Sequence, residues 1–221
     1  MMTHTQIKIC GVTNANDGHT CVELGADMIG FNLYRASPRY VEPMVVRRIV
    51  DPLPAGTRAV GVFVDADPAE IRKFAKIAGV RCVQLHGHTT PESCSEMARE
   101  FRVIRAFSTG ARFEPERIAA FPFCDALIDA YHPELRGGTG RKCDWSAARA
   151  AMRYTRFLIL SGGLDAQNVD QAIAEVTPHA VDVCSGVESA PGVKDHDAMK
   201  NFIAAVRTAQ RSLAATSASQ L

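Results

Sequence analysis

A chain of 221 residues, 47% hydrophobic and 22% charged, has the makeup of a globular protein with a substantial core, and its length fits one domain of α/β barrel size. Lysine and arginine number 25 against 24 acidic residues, a balance of +1 with no long run of either sign, so neither nucleic acid nor a membrane surface is an expected partner. No apolar run approaches the ~20 residues of a membrane span.

Seven cysteines occur without CxxC spacing. The odd count, and an opening Met-Met-Thr-His-Thr-Gln without a charged-then-apolar leader, lead us to expect free thiols and a cytoplasmic location.

In chain order, residues 7–11 (IKICG) read as a buried strand stopped by Gly11, and Asn14 caps a helix carrying Cys21, Val22 and Leu24. A second strand lies at 28–33, and a loop with Ser37-Pro38-Arg39-Tyr40 leads to a helix opened by Pro43. The third strand, 59–64 (AVGVFV), is followed by Asp67-Pro68-Ala69-Glu70, a helix start with an Asp cap and Pro at N1, and Gly79 closes that helix. A strand from Cys82 ends in His86-Gly87, and Thr90-Pro91-Glu92 opens the next helix. Residues 103–107 form a strand, 115–121 a helix and 125–130 (DALIDA) a strand. The glycine-rich Gly137-Gly138-Thr139-Gly140 precedes a short helix near 146–152. The strand 157–160 ends in Ser161-Gly162-Gly163, and Asp165 caps a helix through Val169, Ile173 and Val176. The last strand, 181–184, runs into Ser185-Gly186-Val187-Glu188, and a helix covers 197–207. The domain is expected to span 1–207, with 208–221 a polar, frayed tail.

Eight apolar runs, each followed by a helical pattern, predict a parallel sheet with right-handed crossovers, closed into a single (β/α)8 TIM barrel. In such a barrel chemistry sits at the C-terminal strand ends, where Cys10, His86, Asp129, Gly162 and Ser185 fall. The loops holding Gly138, Thr139 and Gly140, then Gly162 and Gly163, then Ser185 and Gly186 follow strands six, seven and eight. They suit a phosphate held by backbone N–H groups, although each alone also reads as a tight turn.

Cys10 reads as a small packing residue or a positioned base, and Asp129 as a loop cap or an acid. Facing each other across the barrel mouth, they suit proton removal and donation on one small molecule. Arg39, in a stiff turn, is a solvated side chain or a two-pronged carboxylate ligand. His86, sharing a strand side with Gln84, is a core histidine or a substrate contact. An inward Lys8 needs a partner, and Asp182 on the neighbouring last strand is expected to supply it beneath Cys10, with the ammonium helping to lower the thiol pKa.

The series Lys8-Ile9-Cys10-Gly11, Gly30-Phe31, Ser37-Pro38-Arg39-Tyr40, Gly61-Val62-Phe63, Gln84-Leu85-His86-Gly87, Gly137-Gly138-Thr139-Gly140, Gly162-Gly163-Leu164 and Ser185-Gly186-Val187-Glu188 resembles the phosphoribosylanthranilate isomerase family along nearly the whole chain. So does the continuation Ser189-Ala190-Pro191-Gly192-Val193-Lys194-Asp195. The resemblance implies a tryptophan-biosynthesis enzyme that performs an Amadori rearrangement of phosphoribosylanthranilate. In it Asp129 is the general acid, Cys10 the base and Arg39 the carboxylate ligand, with Gln84, His86 and Asp182 near the substrate and the three glycine loops on the phosphate. It implies no metal and no redox cofactor, and a monomer or homodimer. Ser161, Cys184 and His88 depart from the residues usual in that family. The alternatives are another sugar-phosphate barrel enzyme and a catalytically silent phosphate-binding barrel.

Overall fold

The computed structural model describes residues 4–110, 113–130 and 144–218. Eight parallel strands close into a barrel in sequence order: β1 (Gln6–Cys10), β2 (Met28–Asn32), β3 (Arg58–Val64), β4 (Cys82–His86), β5 (Arg102–Thr109), β6 (Cys124–Ala130), β7 (Leu158–Leu160) and β8 (Ala180–Val183). Between them run α1 (Ala15–Glu23), α2 (Pro43–Val50), α3 (Pro68–Ala78), α4 (Pro91–Met97), α5 (Trp145–Ala151) and α6 (Val169–Val176), and α7 (His196–Ala218) follows β8. The expected barrel is therefore the observed one.

Local chemistry explains the helix starts. Asn14 accepts from Asp17 N at 2.9 Å to cap α1, and the Asp67 and Thr90 side chains cap α3 and α4 ahead of a proline in the first turn. Gly79 ends α3 at φ +74, a conformation open to glycine.

Alternation along the strands sorts the side chains into two cores. Ile7, Ile9, Phe31, Val83, Ile128 and Val181 point out against the helices and are buried there. Met28, Val60, Cys82, Ile104, Leu127, Ile159 and Ala180 fill the barrel interior. Towards the C-terminal rim the same inward faces become polar: Lys8 and Cys10 on β1, Gln84 and His86 on β4, Asp129 on β6 and Asp182 on β8. The register sets Lys8 beside Asp182.

Three expectations are corrected. The helix expected at 115–121 is a 3-10 turn (Pro115–Ala120): its six residues, closed off by Phe121-Pro122, are too few to nucleate an α-helix. Asp165 does not cap α6; it accepts from Gln167 N at 2.8 Å in a tight turn, and the helix begins at Val169. Residues 208–218, expected as a polar tail, continue α7 to Ala218. Ala209 is buried, Leu213 packs on the core and Gln210 Nε2 donates to Thr5 O, so the extension has an apolar face to bury. The segment after β8, to which the sequence reading assigns no element, holds a hairpin, β9 (Glu188–Ala190) with β10 (Val193–Lys194), turned by Pro191 and by Gly192 at φ +81.

Candidate active site

A cavity of about 380 Å³ opens at the C-terminal rim of the barrel. Its wall includes Cys10, Arg39, Gln84, His86, Asp129 and Asp182, so six of the expected residues, from β1, the β2–α2 loop, β4, β6 and β8, share one space. Asn32, Ser161 and Cys184 also line it.

Its floor is charged. Lys8, with no exposed surface, donates to Asp182 Oδ1 at 2.9 Å, forming the expected pair. Ser161 donates to Asp182 Oδ2 at 3.2 Å, so both carboxylate oxygens are engaged. Burial alone would lower the Lys8 pKa, but Asp182 and Cys10 outweigh it and hold the ammonium charged. Gly30 makes room above: a Cβ there would lie 2.8 Å from Cys10 Sγ and 3.2 Å from Lys8 Nζ.

The Cys10 thiol is held down to about 6. The neighbouring Cys184 is the largest cause, burial and the Asp182 carboxylate oppose it, and Lys8 and then Lys194 add electrostatic support. Of the two neighbouring thiols Cys10 is the more acidic, while the Cys184 pKa is pushed well up. Gly11, at φ +77, permits this crowding, since a Cβ would meet Arg39 Cδ at 2.7 Å and Cys184 Sγ at 3.0 Å.

On β4, Gln84 Nε2 donates to His86 Nε2 at 2.6 Å, which makes the imidazole a neutral acceptor at that nitrogen. Burial first, then Lys8 and Arg105, push the His86 pKa down to about 3. Gln84 Oε1, buried in the same wall, meets no donor among the described residues. Asp129 is buried at the end of β6, and its carbonyl accepts from Thr109 Oγ1 at 3.1 Å.

Arg39 is not a solvated side chain. Glu188 grips its Nε–Nη2 edge, with Nε 2.9 Å from Oε1 and Nη2 2.7 Å from Oε2. This pairing raises the guanidinium pKa further. The Nη1 end makes no hydrogen bond among the described residues. Glu188 in turn accepts from Lys194 Nζ at 2.9 Å. Neither Glu188 nor Lys194 stands out in the sequence, because a lysine and a glutamate within a loop motif look solvated until the hairpin buries them.

Gly162, at φ +90, and Gly163, at φ +65, follow β7, and Ser185 and Gly186 follow β8 in a 3-10 turn. They lie beside the main cavity rather than in its wall. A Cβ on Gly186 would stand 2.0 Å from Leu164 O, so the two loops are pressed backbone to backbone. Gly138, Thr139 and Gly140 lie outside the described residues. Among the described residues no three His, Cys, Asp or Glu side chains gather in a way that could hold a metal ion, and no helix is long and apolar enough to cross a membrane.

Residues 7–205 match the family model for N-(5'-phosphoribosyl)anthranilate (PRA) isomerase. The N-(5'-phosphoribosyl)anthranilate isomerase of Trichlorobacter lovleyi is 43% identical over 198 residues, covering 90% of this chain and 96% of that protein. The crystal structure of phosphoribosyl anthranilate isomerase from Thermotoga maritima superposes with a TM-score of 0.87 at 42% identity, covering 92% of this chain and 99% of that one. A phosphoribosyl anthranilate isomerase crystallised with reduced 1-(o-carboxyphenylamino)-1-deoxyribulose 5-phosphate gives a TM-score of 0.83 at 39% identity, over 92% of this chain and 99% of that one.

Proposed function

The chain belongs to the N-(5'-phosphoribosyl)anthranilate isomerase family, and from that premise we propose that its rim cavity carries out the reaction with Asp129 as acid and Cys10 as base. The activity is that of an aldose–ketose isomerase of tryptophan biosynthesis. Its substrate is a sugar phosphate joined through nitrogen to a benzoate, and the product is 1-(2-carboxyphenylamino)-1-deoxyribulose 5-phosphate.

The observation that carries the residue assignment is the sharing of one cavity by the Cys10 thiol group on β1 and the Asp129 carboxyl group on β6. Asp129 donates its proton to the furanose ring oxygen. The C1′–O bond breaks as the nitrogen lone pair forms the Schiff base. The Cys10 thiolate then takes the proton from C2′, the electron pair moves to nitrogen, and the enolamine tautomerises to the ketone. A base near 6 is well matched to neutral pH: it is ionised there yet still able to accept a proton.

The anionic ends of the substrate set the remaining roles. The Nη1 end of Arg39 takes the benzoate carboxylate, a charge-assisted bond that Glu188 leaves room for. Gln84 Oε1 accepts from a ribose hydroxyl, with His86 fixing the amide. Asp182 acts beneath the thiol by keeping Lys8 in place. The N–H groups of Gly163, Ser185 and Gly186, with the loop of Gly138, Thr139 and Gly140, receive the phosphate. The reaction's place in small-molecule biosynthesis fits a cytoplasmic site of action.

The test is loss of phosphoribosylanthranilate fluorescence with purified variants. Cys10→Ser and Asp129→Asn each lower kcat by about 10²–10⁴-fold with the fold intact. Near-normal turnover of a folded variant removes that residue from its role, and a folded wild-type chain that binds the phosphate without turnover is a silent barrel.

A further inference from the structure

The β1–β8 ladder pairs Gln6 with Ala180 through Ile9 with Val183 and stops one residue short of Cys10 and Cys184. At that point the carbonyls of the two strand ends would have no partner along the seam. Lys194, on β10, fills the gap. Its ammonium donates to Cys10 O at 2.6 Å and to Cys184 O at 3.2 Å, and its third bond goes to Glu188 Oε1 at 2.9 Å. The side chain has no exposed surface, and Glu188 is 3% exposed.

The same glutamate holds the Nε–Nη2 edge of Arg39. One buried ammonium therefore touches the backbone of the thiol-bearing residue on one side and, through a single carboxylate, the guanidinium on the other. The hairpin that carries it is itself pinned to the start of α1. Lys194 N donates to Asp17 Oδ2 at 3.3 Å, and Thr13 Oγ1 donates to Gly192 O at 2.6 Å. A fully buried lysine with all three protons directed at fixed acceptors has no rotamer to spare, so it transmits position rather than merely charge.

We propose that Lys194, acting with Glu188, is a positioning residue for the isomerisation: it sets the distance between the proton-accepting thiol and the carboxylate-binding arginine by clamping the ends of β1 and β8. The inference rests on the reading of Cys10 as base and Arg39 as carboxylate ligand. Neither Lys194 nor Glu188 lines the cavity wall, so both act through their neighbours. The groups facing Cys10 are Lys8 on its own strand, Asp182 on β8, Cys184 just after it, Lys194 from the hairpin and Arg39 from the β2–α2 loop. Of these, Lys194 contacts the Cys10 backbone and adds to the field on its sulfur.

Two readouts separate positioning from simple stabilisation. The first is the pH dependence of Cys10 carboxamidomethylation by iodoacetamide, followed on the Cys10 peptide by mass spectrometry. The second is the split of kcat and KM for phosphoribosylanthranilate. In the wild type the alkylation midpoint and the acid limb of kcat/KM coincide near 6. Lys194→Met shifts both upward together by about one pH unit, lowers kcat at least tenfold and raises KM. Glu188→Gln keeps the ammonium but loosens the arginine, so it raises KM about tenfold while the alkylation midpoint stays within a few tenths of a unit. Lys194→Arg, which restores charge and donors, recovers part of kcat.

Should Lys194→Met fail to fold, the Lys194→Gln, Glu188→Gln double variant keeps hydrogen-bonding side chains without buried charge and gives the same two readings. A folded variant with an unshifted midpoint and an unchanged kcat and KM overturns the proposal and leaves Lys194 a stabilising residue only. A wild-type midpoint that does not coincide with the acid limb instead overturns the reading of Cys10, which separates the two failures.

Discussion

His86 shows how one side chain couples the site to stability. Its imidazole is neutral because burial, Lys8 and Arg105 disfavour the cation, so its pKa of about 3 lies below its ordinary 6.5. Between those values the unfolded chain binds a proton that the folded chain does not, so stability falls as pH drops from about 6.5 towards 3. The slope from this one residue is at most about 1.4 kcal/mol per pH unit, reduced because part of the ring faces the cavity solvent. Urea unfolding at a series of pH values should show His86→Gln losing stability less steeply than the wild type over that range. Parallel slopes would mean that the ring is protonated in the folded state. The residue types at the site were legible because strand ends of a barrel are where polar side chains inside apolar runs stand out, as with Cys10, His86 and Asp129. Lys194 was not legible: its acceptor on Cys10 is 184 residues away, and no local spacing encodes that meeting.

At the level of elements, the helix caps at Asn14, Asp67 and Thr90 and the αL glycine at Gly79 were written in the sequence, since each is a local hydrogen-bonding rule. The errors came where a local signal competed with geometry. Asp165 carries a capping side chain but spends it on a turn, and Pro115 opens a segment too short for an α-helix. The C-terminal half of α7 looked polar because alanine and serine dominate it, yet alanine is the best helix former and Ala209 and Leu213 supply a buried stripe. Its contact with Thr5, ahead of β1, lies at the end of the barrel away from the cavity. A chain ending at Arg207 should therefore lose about 1–2 kcal/mol, or about 2–8 °C in Tm by calorimetry, while kcat/KM for phosphoribosylanthranilate is unchanged. A truncated chain with wild-type Tm would show that the extension contributes no packing.

For the molecule as a whole, the decisive contact is the seam where the last strand meets the first. Lys8 and Asp182, 174 residues apart, bridge it in a nearly water-free interior. Lys8→Met leaves the Asp182 carboxylate buried with only the Ser161 hydroxyl, a loss of about 3–5 kcal/mol in urea unfolding. Lys8→Met with Asp182→Leu removes both charges and recovers much of that loss. A double variant no more stable than the single one would show that packing, rather than an unpaired charge, sets the cost. Because such a barrel closes only when its ends meet, its longest-range contacts form against the largest loop entropy.

The neighbours that make the Cys10 sulfur acidic, Asp182-bound Lys8, Cys184 and Lys194, are completed by residues near the end of the chain. A polypeptide emerging from the ribosome carries Cys10 before β8 and the hairpin, and until they arrive it is an ordinary thiol. Electrophile reactivity at that single sulfur is thus a built-in clock for barrel closure, readable during synthesis or refolding without an engineered probe site.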